Sequence, residues 1–159
     1  MSDAFFVDHS LIKHQLDSFN KFISIDIQKI ISDTGSFECM NGTNKCKVNF
    51  NKVSVGLPNL TESDGQSSAI MPHEARLRNA TYSSSLYVDM SIDYNEETTE
   101  YKQCELGRLP IMVRSRFCNL HNNVSTNECN YDQGGYFIVS GTEKVLISQE
   151  KMNNNQVYV

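Results

Sequence analysis

The stretch from Gly134 to Glu150 limits what this chain can fold into more than any other. It holds two apolar runs, Tyr136–Val139 and Val145–Ile147, on either side of a polar turn centred on Ser140-Gly141. β-Branched and aromatic residues dominate both runs and glycine punctuates each end, the pattern of a β-hairpin. Neither run alternates cleanly between apolar and polar positions, which predicts strands covered on both faces. A ribbon of that kind needs a larger body to bury it.

The rest of the chain supplies the elements of such a body. Ile12, Leu16, Phe19, Ile23, Ile27 and Ile30 recur at spacings of three and four, predicting one helix from about Ser10 to Ile31 with Ser10 as its cap and Gly35 just beyond its end. Residues 33–45 read as loop. Cys46, Val48 and Phe50 alternate, and Asn51-Lys52 then shifts the phase to Val53 and Val55, which predicts two short strands or one bulged strand. The segment 58–68 is polar and turn-rich; its Glu62-Ser63-Asp64-Gly65 lacks the acidic spacing of a Ca²⁺ loop and reads as a plain turn. Leu86, Val88, Met90, Ile92 and Tyr94 alternate with polar positions, the mark of a half-buried antiparallel strand. Asn95–Glu100 reads as an acidic turn and Tyr101–Leu106 as the partner strand. Leu109–Val113 is a short apolar run whose Pro110 suits a strand start or an edge. Residues 119–133 read as loop. The predicted fold class is α+β, an N-terminal helix on a mostly antiparallel sheet. Val157-Tyr158-Val159 would suit a further strand, so residues 1–159 are expected to form a single partial domain cut in mid-domain.

Charge and composition narrow the function. The formal net charge of −5 argues against a chain that grips DNA alone. No run approaches the roughly 18 apolar residues of a membrane span. The first residues lack a basic segment followed by a long apolar one, so an export signal is not expected. The five cysteines are odd in number and form no Cys-x-x-Cys, which predicts reduced thiols in an intracellular protein. Asn-x-Ser/Thr sequons begin at Asn41, Asn59, Asn79 and Asn123, and in so Asn-rich a chain chance explains them better than glycosylation.

Candidate chemistry is sparse. Cys118, His121 and Cys129, with Cys104 or His73, could be imagined as zinc ligands, but the spacing is irregular. A Cys or Ser nucleophile beside a His is permitted by composition and specified by nothing in chain order. There is no phosphate-cradling Gly-x-x-x-x-Gly-Lys loop and no close aspartate cluster for paired Mg²⁺. Arg76 and Arg78, and likewise Arg114 and Arg116, would share a strand face if extended, and could then contact phosphates. The plainer reading pairs them with Glu74, Glu62 or Glu105.

The spelling Gly134-Gly135-Tyr136-Phe137-Ile138, then Gly141-Thr142-Glu143-Lys144-Val145-Leu146-Ile147 and Gln149-Glu150, resembles a signature of the second-largest subunit of multisubunit DNA-directed RNA polymerases, most closely the RNA polymerase II type. Gln15-Leu16-Asp17-Ser18-Phe19-Asn20, Glu62–Gly65, Pro72–Met90 and Arg108–Cys118 agree with the same family in the same order, so the resemblance covers nearly the whole chain. It implies the first segment of the protrusion domain, lining one side of the polymerase cleft and completed by a later segment of the subunit. The implied role is structural and nucleic-acid-facing in a nucleotidyltransferase that transcribes DNA into RNA, with the isolated fragment inactive. The resemblance implies no catalytic residue and no metal ligand here, and Mg²⁺ held elsewhere in the assembly. Its implied partners are the largest subunit, the remainder of the second-largest subunit, the DNA template and the RNA–DNA hybrid, with no membrane. Gln149 matches a family residue near the hybrid. Lys151 stands where the family often has Arg, and with Arg114 and Arg116 it completes the candidate nucleic-acid-facing set. Past Lys151 the sequence departs from the family. The short acidic insert at Asn95–Glu100, the Asn-rich loop at 119–133 and His73, where the family often has Gln, suggest a divergent lineage such as a large DNA virus. The expected compartment is the nucleus for a cellular source, or host cytoplasm or virion for a viral one. The alternatives are a stand-alone intracellular interaction module and, more remotely, a secreted glycoprotein.

Overall fold

The computed structural model describes residues 11–41, 44–95, 97–121, 127–129 and 131–149. The N-terminal helix runs as α1 (Lys13–Lys21), a π-helical turn (Phe22–Asp26) and α2 (Ile27–Thr34). It ends at Gly35, which takes a φ of 72° that suits glycine. Phe19, Ile23 and Ile27 are buried as their spacing predicts. Ile30 is instead 54% exposed, because the wider π turn rotates the C-terminal part of the stripe away from the core. The expected Ser10 cap lies outside the described residues.

Four strands form an antiparallel sheet in the order β1 (Ser36–Asn41), β2 (Asn44–Val55), β5 (Ser83–Tyr94), β6 (Glu97–Pro110). The segment read as loop over 33–45 is thus largely β1, an edge strand exposed over residues 36–40 whose side chains carry little apolar periodicity. The phase shift at Asn51-Lys52 is one strand with a bulge: the β2–β5 register breaks between Phe50 and Val53. The bulge leaves backbone groups off the ladder, and the Gln28 side chain on α2 takes two of them. Its Nε2 donates to the Asn51 carbonyl at 2.8 Å, and its Oε1 accepts from the Val53 N–H at 2.9 Å. A second irregularity, opposite Asp89, lets that carboxylate accept the Gln103 N–H at 2.8 Å. The alternating strand Leu86–Tyr94 lies within β5 as expected, with Val88 fully buried.

Two short hairpins and one short helix cap this frame. β3 (Asn59–Thr61) pairs with β4 (Ser67–Ala69) across the Glu62–Gly65 turn, in which the Gly65 N–H donates to the Glu62 carbonyl at 3.0 Å. Pro72–Leu77 is helix α3, started by its proline, so Arg76 and Arg78 do not share a strand face. β7 (Phe137–Val139) pairs with β8 (Thr142–Lys144) about Ser140-Gly141, whose φ values of 49° and 73° fit the mirror-image turn that two-residue hairpins favour.

The core lies between the N-terminal helix, Tyr82, the irregular segment 111–118, Ile70, Ala75 and Ile138. Phe19 and Phe137 meet edge to face at 5.5 Å, joining α1 to β7. Tyr82 is fully buried; its hydroxyl accepts the Asn119 N–H at 2.9 Å and lies 3.3 Å from Cys118 Sγ. Burial, with Cys118 alongside, pushes the Tyr82 phenol well above its ordinary range, so it remains protonated. Asn119 Nδ2 donates to the buried segment's Pro58 and Ile70 carbonyls at 2.9 and 2.7 Å. Asn119→Ala is expected to orphan both acceptors and lower stability by about 2 kcal/mol, read as a shift in denaturant midpoint. An unchanged midpoint would show that water replaces the amide.

Candidate functional site

The geometry around the hairpin starts from two glycines. Gly134 and Gly135 let the chain fold back on the 111–114 segment: the Gly135 N–H donates to the Val113 carbonyl at 3.0 Å, and the Val113 N–H to the Tyr136 carbonyl at 2.9 Å. The hairpin then docks beside residues 79–82. The Tyr82 N–H donates to the Ile138 carbonyl at 2.9 Å, the Gly141 N–H to the Ala80 carbonyl at 3.0 Å, and the Ser140 N–H to Thr81 Oγ1 at 3.1 Å.

The predicted second strand is displaced by this geometry. A two-residue turn obliges pairing to begin at once, so Thr142–Lys144 form β8 and the ladder is over before Val145. Val145, Leu146 and Ile147 are 62%, 66% and 86% exposed, and the expectation that both faces of each run are covered holds only for Ile138. Gln15 Nε2 donates to the Leu146 carbonyl at 2.7 Å and holds this apolar run near α1. Between them lies an open groove of about 600 Å³, floored by Phe19, Phe22, Met112 and Phe137 and walled by Pro110 and Leu146.

On the other side of the hairpin sits a polar cavity of about 410 Å³ organised by Arg76. Its guanidinium pairs with Glu143 at 2.8 Å, Glu128 at 3.2 Å and Asp132 at 3.8 Å, and donates to the Tyr136 hydroxyl. That hydroxyl in turn donates to Asp132, and the Arg76 guanidinium lies 5.7 Å from the Tyr136 ring centre. Burial pulls the Arg76 charge down, but Tyr136, Glu143 and Glu128 outweigh it and hold the guanidinium above its ordinary value. Burial, then the hydrogen bond to Asp132, raises the Tyr136 phenol well above its usual range. A permanently charged Arg, satisfied by carboxylates and a protonated phenol, offers neither a general base nor an open phosphate site. It is a clamp joining α3, the 127–132 segment and β8. Chain order gives no sign of it, because its members are separated by up to 67 residues and have no shared period.

The other arginines are largely engaged. Arg78 pairs with Glu62 at 2.6 Å and Glu74 at 3.0 Å, the partners expected for it. Arg108 donates to Ser83 Oγ at 3.1 Å and Asn59 Oδ1 at 2.7 Å. Arg114 has a φ of 63°, is half-buried and donates to the Cys129 carbonyl at 3.0 Å. The 111–121 segment is a succession of turns, so Arg114 and Arg116 do not share a strand face either. Arg116 is exposed, and its guanidinium makes no hydrogen bond or ion pair among the described residues; its backbone N–H is fixed by Asn20 Oδ1 at 3.0 Å. Gln149 is exposed beyond β8, and Lys151 lies outside the described residues. Of the imagined zinc ligands, Cys118 is buried against Tyr82, and among the described residues no group of three or more His, Cys, Asp and Glu side chains converges as a metal site.

Comparison with known proteins gives this geometry its context. Residues 10–154 match the family model described as RNA polymerase beta subunit. The chain is 39% identical to DNA-directed RNA polymerase II subunit 2 of Arabidopsis thaliana over 98% of its own length and 15% of that protein. It is 39% identical to DNA-directed RNA polymerase II subunit RPB2 of Schizosaccharomyces pombe, over 98% and 16%. It is 40% identical to DNA-directed RNA polymerase subunit Rpo2N of Methanocaldococcus jannaschii, over 98% and 33%. It therefore spans only a minor part of the relatives it matches, while nearly all of its own residues, helix, sheet and hairpin alike, belong to the RNA polymerase beta subunit family, in the N-terminal region of the second-largest subunit.

Proposed function

We propose that this chain forms part of the cleft wall, the protrusion, of a DNA-dependent RNA polymerase that transcribes DNA into RNA. The observation that carries this reading is the end-to-end family match on a scaffold whose arginines are mostly paired within the chain. Of the five arginines, only Arg116 presents a guanidinium without a described partner, and the net charge is −5. Such a piece contributes shape and a few aimed contacts, while nucleotidyl transfer and its Mg²⁺ reside elsewhere in the assembly. Its partners are the largest subunit and the remainder of the second-largest subunit, with the domain completed by a later segment. The stand-alone interaction module is the weaker reading, since 98% of the chain aligns with polymerase subunits. The compartment follows the assembly: nucleus for a cellular enzyme, host cytoplasm or virion for one from a large DNA virus.

Within that role Arg116, Gln149 and Lys151 face the nucleic acid, and Arg114 braces the turn that presents Arg116. Affinity-tagged chain is expected to co-purify with a largest polymerase subunit, and the isolated 159 residues to synthesise no RNA on a DNA template. Robust synthesis by the isolated chain, or a tagged chain recovered without polymerase subunits, would overturn the assignment. A photocrosslinker at position 149 in the assembled enzyme is expected to label RNA or DNA; labelling of protein alone would remove Gln149 from the interface.

A further inference from the structure

The β1–β2 ribbon brings together two cysteines that chain order leaves unremarkable. Cys39 and Cys46 are direct cross-strand partners, flanked in register by Glu38 opposite Lys47 and Met40 opposite Lys45. Directly opposed residues of an antiparallel pair point to the same face, with Cα atoms about 4.5 or 5.5 Å apart according to the type of pair. Both spacings lie within the range of about 4.4–6.8 Å that a disulfide spans. Both thiols are free, Cys39 is exposed and Cys46 half-buried, so a small reagent can reach them. We propose that Cys39 and Cys46 form a redox-active dithiol, a modification site at which a small-molecule disulfide oxidises the ribbon to an intramolecular disulfide.

The step balances without a metal or cofactor. One cysteine thiolate attacks the oxidant's disulfide and expels one thiol, leaving a mixed disulfide on the protein. The opposed thiolate then attacks that protein sulfur and expels the second thiol. The two protein thiols lose two protons and two electrons in all, and the oxidant leaves as two thiols.

The ribbon's other contacts make this pairing selective. Glu38 bridges Lys45 at 3.6 Å and Lys47 at 3.3 Å on the opposite face, which holds the register that aligns the cysteines. Phe37 and Phe50 meet edge to face at 5.8 Å on the cysteine face. Asn95 fixes the start of β2, accepting the Lys45 N–H at 3.0 Å and donating its own N–H to the Lys45 carbonyl at 3.1 Å. Two of the three remaining cysteines are poorly placed to compete. Cys104 is opposite Val88, which is opposite Val53, so it lies about seven residues along the sheet from Cys46, roughly 20 Å. Cys118 is buried in the core. In its oxidised form the bond would fasten β1, an edge strand that pairs only with β2, to the rest of the sheet.

The test oxidises the full chain with glutathione disulfide under native conditions and in urea, blocks remaining thiols, and maps the digest by mass spectrometry. The native chain is expected to yield the Cys39–Cys46 link as its dominant disulfide, with urea lowering that preference severalfold. Cys39→Ser should leave Cys46 as a stable mixed disulfide. In the oxidised wild type, amide exchange in Phe37–Met40 is expected to slow by roughly tenfold or more, as for a loop closed covalently. Separate mixed disulfides on Cys39 and Cys46 in the native wild type, or equal yields of the link in native and urea samples, would overturn the proposal. This outcome is independent of whether the chain works in a polymerase.

Discussion

Gly134→Ala is expected to destabilise the fold by about 3 kcal/mol or more, the largest effect of an added methyl at any described glycine. Gly134 has a φ of +76°, and a Cβ there would sit 2.4 Å from the Val113 carbonyl oxygen and 2.7 Å from Arg114 Cβ. Neither neighbour can retreat: Val113 is fully buried, and its carbonyl already accepts the Gly135 N–H. Relief would require separating 111–114 from the hairpin and breaking both hydrogen bonds between them. Gly65→Ala is the matching control. Its φ of +84° carries the same backbone strain, with nothing within 4 Å of the added carbon, so its cost should be about 1 kcal/mol. Urea denaturation of the three proteins separates strain from collision. Equal losses at the two positions would show that the collision is relieved by small movements.

Arg76→Ala is expected to cost about 2–3 kcal/mol, below the 3–5 typical of breaking a fully buried ion pair. The discount has a physical basis. The Arg76 side chain is 24% exposed and that of Glu143 55% exposed, so solvent screens part of the interaction. What remains is serious, because Glu128 is only 7% exposed and would be left without its guanidinium, as would Asp132 and the Tyr136 hydroxyl. Arg76→Lys should fall between wild type and alanine: it keeps the charge but loses the planar fork that serves several acceptors at once. If lysine and alanine behave alike, geometry rather than charge holds the clamp. If neither changes the melting curve, the cluster adds nothing to stability.

The sequence was legible where a period or a special backbone angle governs the outcome. The Phe19–Ile27 stripe, the phase break at Asn51-Lys52 and the Ser140-Gly141 turn each leave such a mark, and each appears in the fold. Three features left none. β1 pairs through its backbone with mostly exposed side chains, so no apolar alternation announces it. Val145–Ile147 have the composition of a strand, yet the two-residue turn directly before Thr142 sets where the ladder begins, and they fall beyond it. The Arg76 clamp unites residues from three distant segments, and a lone arginine in a helix gives no hint of which carboxylates it will meet. Of the candidate nucleic-acid-facing residues, the fold sets Arg114 apart from Arg116: the first is tied to Cys129, the second held outward by its backbone bond to Asn20.

The grip of Gln28 on the β2 bulge also restricts how such a chain can drift in length over evolution. Side chains alternate along a strand, so losing or gaining one residue in β2 would exchange its inner and outer sets. It would also carry Asn51 and Val53 out of reach of the helix amide that reads them as a pair. Tolerated insertions and deletions belong instead in surface loops that join unpaired elements, where a lengthened connection shifts no strand register.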